Sequence, residues 1–172
     1  MRESLKAFAK HVGDTSHFPF KIAEIGVMAG GNAEIINNTL HPRKLYLIDS
    51  WSTDYRPVMH DRLKETAARF EGKENVCIIK DSSEEALCLF QDNTFDYVYL
   101  DNAHNYEHVL NEMYMWWRKV KKGGMLAGHD INGCYPERVL RAVQEFAKEK
   151  NVKYYSKQNE KEDVGDWWIW KN

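Results

Sequence analysis

Short apolar runs alternate along this chain with segments whose apolar residues recur at helical spacing. The apolar runs cover residues 21–27, 44–49, 76–80, 95–100 and 123–128. Runs of this length predict buried strands, and the segments between them predict helices. A strand–helix alternation repeated in this way predicts a doubly wound α/β fold, in which helices cover both faces of a mostly parallel sheet with right-handed crossovers.

The last part of the chain departs from this alternation. Residues 152–156 and 165–171 are two strand-like runs joined by a short polar segment, which predicts an antiparallel hairpin. We expect this hairpin to add one antiparallel strand at the edge of the sheet. A helix within residues 1–13 precedes the core of residues 21–171, and a length of 172 residues predicts a single domain over 1–172.

Charge and cysteine content narrow the class of partner and compartment. The chain has 24 Lys and Arg against 26 Asp and Glu, a net charge of −2, which argues against nucleic acid or an anionic membrane as the main partner. No apolar run is long enough to cross a membrane, and the first residues lack a signal-peptide core. Cys77, Cys88 and Cys134 are odd in number and form no C-x-x-C pair, so we expect no disulfide framework and a cytoplasmic location.

The polar residues at the strand ends are candidates for function, because open parallel sheets bind ligands at the carboxyl ends of their strands. The first strand contains Glu24 and runs into a turn with Gly26 and Gly30. Glycines let a ligand approach the backbone, and the start of the following helix favours negative ligand groups. Met28 takes the place of the second glycine of a dinucleotide fingerprint, so that fingerprint is absent. An ordinary turn is the alternative interpretation of these glycines.

The second and third strands end in residues suited to a nucleoside. Asp49 can accept hydrogen bonds from the vicinal hydroxyls of a ribose, or it can cap a turn. Asp81 and Ser82 can accept a hydrogen bond from an exocyclic amine such as that of adenine. Ser82 also opens a capping-box pattern with Glu85, in which each side chain satisfies the amide of the other residue and a helix follows.

The fourth and fifth strands end in acids and imidazoles. Asp101 and His104 follow the fourth strand, and His129 and Asp130 follow the fifth. Such groups at neighbouring strand ends can hold a divalent cation or act as a general base. A bound cation would lower the pKa of an acceptor hydroxyl and make it a better nucleophile near neutral pH. Loop capping and charge balance are the alternative explanation for these residues.

Taken in order, these motifs resemble those of class I S-adenosylmethionine-dependent methyltransferases. The sequence shows E-x-G-x-x-x-G, then D, D-S, D-x-x-H-x-Y and G-H-D at its five predicted strand ends. More narrowly, the pattern is similar to that of the compact subgroup that includes the macrocin-type sugar O-methyltransferases. The resemblance spans about residues 20–171, and it implies a Rossmann-like methyltransferase fold with a seven-stranded sheet that ends in a hairpin.

The resemblance implies S-adenosylmethionine as the cofactor and assigns residues to it. The methionine part would lie along the glycine turn, the ribose at the end of the second strand with a tryptophan nearby, and the adenine at the end of the third strand. The residues concerned are Glu24, Gly26, Gly30, Asp49, Trp51, Asp81 and Ser82.

The resemblance also implies O-methylation of a small-molecule or sugar hydroxyl, either with or without Mg²⁺ as a cofactor. Metal-dependent members bind the ion with acids at the fourth and fifth strand ends, which points here to Asp101 and Asp130. His129 would be a third metal ligand beside them, at a position where sugar-modifying relatives carry an acid. We expect His104 to take the acceptor proton, ahead of His129. The expected partner is a small-molecule hydroxyl acceptor, and a homo-oligomer is an option.

Two other functions stay open at this point. An NAD-dependent oxidoreductase would share the parallel sheet and the ribose carboxylate, although Met28 in the glycine turn and the aromatic terminal hairpin count against it. A non-catalytic nucleoside-binding module would keep the fold without turnover, and only the acid–base residues after the fourth and fifth strands oppose it. S-adenosylhomocysteine should raise the melting temperature where NAD does not, because only a ligand of the native state stabilises it.

Overall fold

Within the described residues, seven strands form one sheet and five α-helices pack on it. The computed structural model describes residues 1–13, 19–53, 57–132, 136–158 and 165–172. The helices are α1 (Glu3–Val12), α2 (Gly31–Leu40), α3 (Met59–Arg69), α4 (Tyr106–Lys119) and α5 (Pro136–Lys150). The strands are β1 (Lys21–Ile25), β2 (Lys44–Asp49), β3 (Val76–Lys80), β4 (Phe95–Leu100), β5 (Val120–Gly128), β6 (Tyr154–Gln158) and β7 (Gly165–Trp170).

The sheet confirms the predicted doubly wound, mostly parallel fold. Its strand order is β3-β2-β1-β4-β5-β7-β6, and β1 to β5 run parallel to one another. Along β4, Val98 and Leu100 pack in the apolar layer of α4 and α5, whereas Tyr97 and Tyr99 pack in the layer of α1 and α2. The chain therefore reverses its direction of winding beside β1, and this switch point is where open sheets bind ligands.

The terminal hairpin forms, but its antiparallel strand is not at the edge of the sheet. β7 runs antiparallel to both β5 and β6 and lies between them, so β6 is the edge strand. The physical reason is composition: Trp167 and Ile169 of β7 are buried, whereas Tyr155 to Lys157 of β6 are exposed. The segment that joins the two strands, residues 159–164, lies outside the described residues.

Local structure differs from the prediction after β3. A helix opened by a capping box was expected there, and the structure has a short 3₁₀ helix over Glu85–Leu89. The Ser82 hydroxyl accepts from the Glu85 amide at 3.1 Å, but the Ser82 amide donates to Asp81 Oδ1 at 2.9 Å. The reciprocal half of the capping box is therefore missing. The helical spacing of apolar residues after the fourth strand extends to Val120 and predicts a helix up to that residue, but Val120 is the first residue of β5.

The register of the parallel strands brings their carboxyl ends into one row. Ile25 lies beside Ile48 and Leu100, and Leu100 lies beside Gly128. The residues that follow these four are Gly26, Asp49, Asp101 and His129. These predicted site residues thereby lie in one row at the carboxyl ends of the parallel strands.

Two remaining predictions concern cysteines and membranes. Cys77 and Cys88 are free thiols, and Cys134 lies outside the described residues. Of the helices in the described ranges, none combines the length and the apolar character that a membrane crossing demands.

Candidate active site

The turn after β1 requires glycine at its first position. Gly26 has a φ of +84°, and a Cβ placed there would lie 2.2 Å from the backbone oxygen of Asp101. Its amide donates to the Ile48 carbonyl at 2.9 Å. The missing side chain therefore lets the loops after β1 and β4 touch. Gly30, with a φ of +76°, begins the turn into α2 against the ring of Phe70.

Asp49 organises the backbone of this turn. Its Oδ2 accepts hydrogen bonds from the amides of Val27 at 2.9 Å and Met28 at 3.0 Å, and its Oδ1 accepts from the Trp51 amide at 2.8 Å. A carboxylate offers about four acceptor positions, so roughly one is left for a ligand hydroxyl. Asp49 thus caps the turn, which was the alternative to the predicted grip on two ribose hydroxyls.

Trp51 lies beneath the glycine turn. Its side chain is only 1% exposed, and its indole Nε1 donates to the Met28 carbonyl at 2.8 Å. Thr66 of α3 donates to the same carbonyl at 2.9 Å. These two bonds hold Met28 at a φ of +55°, with its side chain half exposed beside the turn.

Glu24 and Asn32 leave two buried acceptors without partners. Glu24 is 1% exposed, and its Oε1 accepts from Asn32 Nδ2 at 3.1 Å. Glu24 Oε2 and Asn32 Oδ1 are buried, and no described residue forms a hydrogen bond with either atom. Burial raises the pKa of Glu24 to about 8. Unsatisfied buried acceptors are uncommon, and Glu24 and Asn32 flank the glycine turn in the chain, so this pair suits a ligand that brings N–H donors.

Asp81 and Ser82 follow β3 in the same row of strand ends. The Asp81 amide donates to the Asp49 carbonyl at 3.1 Å, which continues the pairing of β2 with β3. The Asp81 carboxylate uses Oδ1 for the Ser82 amide. The Ser82 hydroxyl contacts both the amide and the carboxylate of Glu85. Ser82 thus carries the capping role that was its alternative interpretation.

The loops after β4 and β5 bring together two acids and two imidazoles. His104 Nε2 is in contact with Asp130 Oδ2 and lies 3.7 Å from Asp101 Oδ1. His129 Nδ1 lies 3.2 Å from the same Asp130 oxygen. The His104 side chain is 41% exposed, whereas that of His129 is 8% exposed. His104 is therefore the imidazole that an acceptor molecule can reach.

The two carboxyls of this cluster differ in their pKa. Burial raises the pKa of Asp101, and the charges of His129 and Arg2 oppose this only in part. Burial also acts to raise the pKa of Asp130, but the hydrogen bond and charge of His129 and the charge of His104 outweigh it, so the pKa lies below its usual value. Asp130 is accordingly the more firmly ionised acid.

Arg2 supplies a positive charge that sequence patterns did not reveal. Its guanidinium lies 3.5 Å from Asp101 Oδ2 and contacts His129 Nε2. Both nitrogens of His129 are thereby engaged, one with Asp130 and one with Arg2. Nothing in the first residues marks Arg2 for this place, because only the packing of α1 brings it there. The sequence offers one indirect signal, Asp166, an acid within the aromatic last strand that needs a buried partner. That partner is Ser4, which lies two residues after Arg2.

The described side chains that are spaced for a metal ion differ in one member from the predicted set of Asp101, His129 and Asp130. The ligand atoms of Asp101, His104 and Asp130 lie within 4.8 Å of one another, which is a spacing that a cation could bridge. His129, the predicted third ligand, is turned toward Asp130 and Arg2 instead. Arg2 already places a cation against Asp101, so the set is not a free pair of acids awaiting an ion.

Helix α4 makes hydrogen bonds to the loop after β4 and to the loop after β3. Glu112 of α4 is 2% exposed, and its Oε1 accepts from Asn102 Nδ2 at 2.8 Å. The Ser83 hydroxyl, in the loop after β3, accepts from Nε1 of Trp116 in the same helix at 2.9 Å. Burial raises the pKa of Glu112. Helix α4 therefore holds both the loop after β3 and the loop after β4.

Solved structures with this fold identify its class. A SAM-dependent methyltransferase from Aquifex aeolicus has a TM-score of 0.65 at 18% identity, with 96% of this chain and 88% of that chain covered. A Klebsiella pneumoniae protein assigned as an O-methyltransferase has a TM-score of 0.69 at 16% identity, covering 100% and 81%. Fibrillarin from Aeropyrum pernix, solved with natively bound S-adenosyl-L-methionine, has a TM-score of 0.67 at 15% identity, covering 95% and 73%. The fold is that of the Rossmann-like methyltransferases.

The family follows from the sequence match. The profile of a methyltransferase domain matches residues 23–131, which is more than half of the chain and includes the strand ends of β1 to β5. The chain belongs to this methyltransferase-domain family and is an S-adenosylmethionine-dependent methyltransferase. No curated protein matches the sequence significantly.

Proposed function

We propose that this enzyme transfers the methyl group of S-adenosylmethionine to a hydroxyl of a small molecule or a sugar, with His104 as the general base. The observation that carries the proposal is the pair of His104 and Asp130, which stands half exposed at the same strand-end row as the glycine turn. The O-methyltransferase assigned in Klebsiella pneumoniae supports a hydroxyl acceptor. A sugar acceptor, as in the macrocin-type subgroup, rests on the strand-end motifs alone.

The buried acceptors at the start of the site suit the methionine part of the cofactor. An ammonium group brings three N–H donors, and Glu24 Oε2 and Asn32 Oδ1 are two acceptors that lack any. The positive charge of that ammonium would also favour the ionised form of Glu24. Asp49 would then offer its remaining acceptor position to the ribose, and Asp81 its Oδ2 to the adenine.

His104 is oriented for proton transfer by Asp130. Because Asp130 is ionised, the contact orients the Nε2–H of His104 toward the carboxylate and leaves the lone pair on Nδ1. Nδ1 can then accept a proton from an acceptor hydroxyl, and Asp130 stabilises the imidazolium that results. S-adenosylmethionine, when bound, would supply a methyl group carried on a positive sulfonium, and after transfer the sulfur would be left as a neutral thioether. The remaining task of the protein is alignment of the reacting atoms and exclusion of water.

Ligand binding tests the cofactor assignment. We expect S-adenosylhomocysteine to raise the melting temperature and to give a saturable calorimetric titration, whereas NAD gives neither. The variant Glu24→Leu keeps a buried side chain of similar size but lacks the acceptors, and it should bind S-adenosylhomocysteine at least about tenfold more weakly. Flat titrations with S-adenosylhomocysteine and S-adenosylmethionine would overturn the proposal.

Methyl transfer tests the role of His104. Hydroxylated acceptors are screened with a labelled methyl donor, and His104→Ala is then compared with the wild type on the best acceptor. We expect a loss of about 10²–10⁴-fold in kcat with little change in S-adenosylhomocysteine affinity. His41→Asn, which changes an imidazole at the end of α2, is the matched control and should keep full activity. Cofactor binding without any methylated acceptor would favour the non-catalytic module.

A further inference from the structure

The guanidinium of Arg2 occupies the side of Asp101 that faces the neighbouring imidazole. It lies 3.5 Å from Asp101 Oδ2 and contacts His129 Nε2, whose other nitrogen holds Asp130. One arginine is thereby linked to both carboxylates of the cluster, directly to Asp101 and through His129 to Asp130. Arg2 lies outside the residues that match the methyltransferase-domain profile, so the family match does not assign it.

The position of Arg2 is fixed by contacts of the two residues that follow it. The Ser4 amide and the Ser4 hydroxyl each donate to Asp166 Oδ2 at 3.0 Å. The hydroxyl of Tyr97 lies 3.1 Å from the Ser4 hydroxyl, and both residues are fully buried. Glu3 pairs with Lys157 of β6 at 3.0 Å. The start of α1 is thus held by β4, β6 and β7, which delivers Arg2 to the strand-end row.

A guanidinium and a metal ion compete for the same carboxylate. The metal-ligand atoms of Asp101, His104 and Asp130 are close enough together to bind one cation. Arg2 forms an ion pair with Asp101, one of these three residues. A divalent ion bound to Asp101 would lie within a few ångströms of the guanidinium, and like charges at that distance repel strongly. Either Arg2 moves away or the ion stays out.

We propose that Arg2 is the resident cation of this site and supplies at Asp101 and Asp130 the positive charge that a divalent metal would otherwise provide. Arg2 is a positioning residue, since it keeps Asp101 paired and holds His129 against Asp130. The inference rests on the proposed function, because it gives the acceptor side of the methyltransferase site its balance of charge. It predicts that the wild-type protein binds divalent cations weakly and that loss of the guanidinium opens a cation site.

Titration with Mn²⁺, followed by electron paramagnetic resonance, tests the inference without any methyl acceptor. We expect Arg2→Gln to bind Mn²⁺ at least about tenfold more tightly than the wild type, because the substitution removes the positive charge that repels an ion bound to Asp101. Arg2→Lys keeps a cation and should resemble the wild type. Arg118→Gln is the matched control, since Arg118 pairs only with the exposed Asp92 among its described acid partners.

A double variant shows where the ion binds. Arg2→Gln with Asp101→Asn should lose the gained Mn²⁺ affinity, and circular dichroism with thermal melts establishes that each variant is folded. Equal Mn²⁺ affinity in wild type and Arg2→Gln, or tight Mn²⁺ binding by the wild type, would overturn the inference. Binding of S-adenosylhomocysteine is measured on the same samples. If it is present and Mn²⁺ affinity is unchanged, the role of Arg2 fails alone, whereas its absence removes the proposed function.

Discussion

At the scale of single residues, the site is built from groups that are costly to bury. Glu24 keeps a carboxyl in the interior with one oxygen unpaired, and its pKa is raised to about 8 by burial. In the unfolded chain the same group ionises near 4.5. The native protein therefore holds a proton between these two pH values that the unfolded chain has lost. A buried acid with a strongly shifted pKa is typical of a functional site, which agrees with the cofactor role proposed for Glu24.

This difference predicts a pH dependence of stability. As pH rises from about 4.5 to 8, the contribution of Glu24 to the free energy of unfolding should fall, by up to about 5 kcal/mol if the whole shift is realised. Glu24→Gln does not ionise, so its stability relative to the wild type should increase over that range. Urea unfolding of both proteins at pH 5, 6.5 and 8 measures the difference. Parallel pH profiles for the two proteins would contradict the assignment.

Sequence patterns found most of the residues in this row but not their contacts. Asp49, Asp101 and Asp130 were predicted because each directly follows or closely follows an apolar strand. The three amides that Asp49 caps depend on the conformation of the turn, which a sequence does not state. Arg2 was missed for a related reason, since it lies 99 positions before Asp101 and only tertiary packing brings the two together.

At the scale of elements, the contact between the loops after β1 and β4 sets the distance between the two parts of the proposed site. Gly26 touches the backbone of Asp101, so any side chain there would push apart the two loops that carry the residues proposed for the cofactor and the acceptor. Strands β2, β3 and β4 match the sequence prediction in both bounds, because their apolar runs end sharply at charged or polar residues. The segment after β3 and the start of β5 were mispredicted, because capping pattern and helical spacing extend there beyond the helices that form.

Two glycines, one in this turn and one at the start of the helix that follows it, give a matched pair of variants. Gly26→Ala combines a positive φ with a contact at 2.2 Å, and we expect it to lower the free energy of unfolding by about 3 kcal/mol or more. Gly31→Ala, at the first position of α2, meets open space and should be neutral or stabilise by up to about 1 kcal/mol. Urea denaturation measures both. Equal stabilities of the two variants would show that the loops separate without cost.

At the scale of the whole molecule, α1 fastens the two ends of the chain together. Asp166 of β7 is 3% exposed and accepts from the Ser4 amide, the Ser4 hydroxyl and the Tyr99 hydroxyl. Phe8 stacks on Trp170 farther along the same pair of elements. The strand-end site therefore depends on a contact between residues 162 positions apart.

Removal of this contact should release α1. Asp166→Ala leaves three donors without their acceptor, and we expect a loss of about 2–4 kcal/mol in the free energy of unfolding. Hydrogen exchange should become faster in α1 than in α2. Asp92→Ala removes an exposed acid paired with Arg118 and Lys119 and should change little. Unchanged exchange in α1 of the Asp166 variant would mean that apolar packing alone holds the helix.

The place of β7 inside the sheet has a consequence for biosynthesis. The ribosome makes α1 long before β7, yet Ser4 has its acceptor on Asp166, and β6 has its described sheet neighbour in β7. A nascent chain that has already produced β1 to β5 still lacks the acid that anchors its own beginning. Final assembly of the strand-end row must therefore wait until translation has passed the last tryptophans.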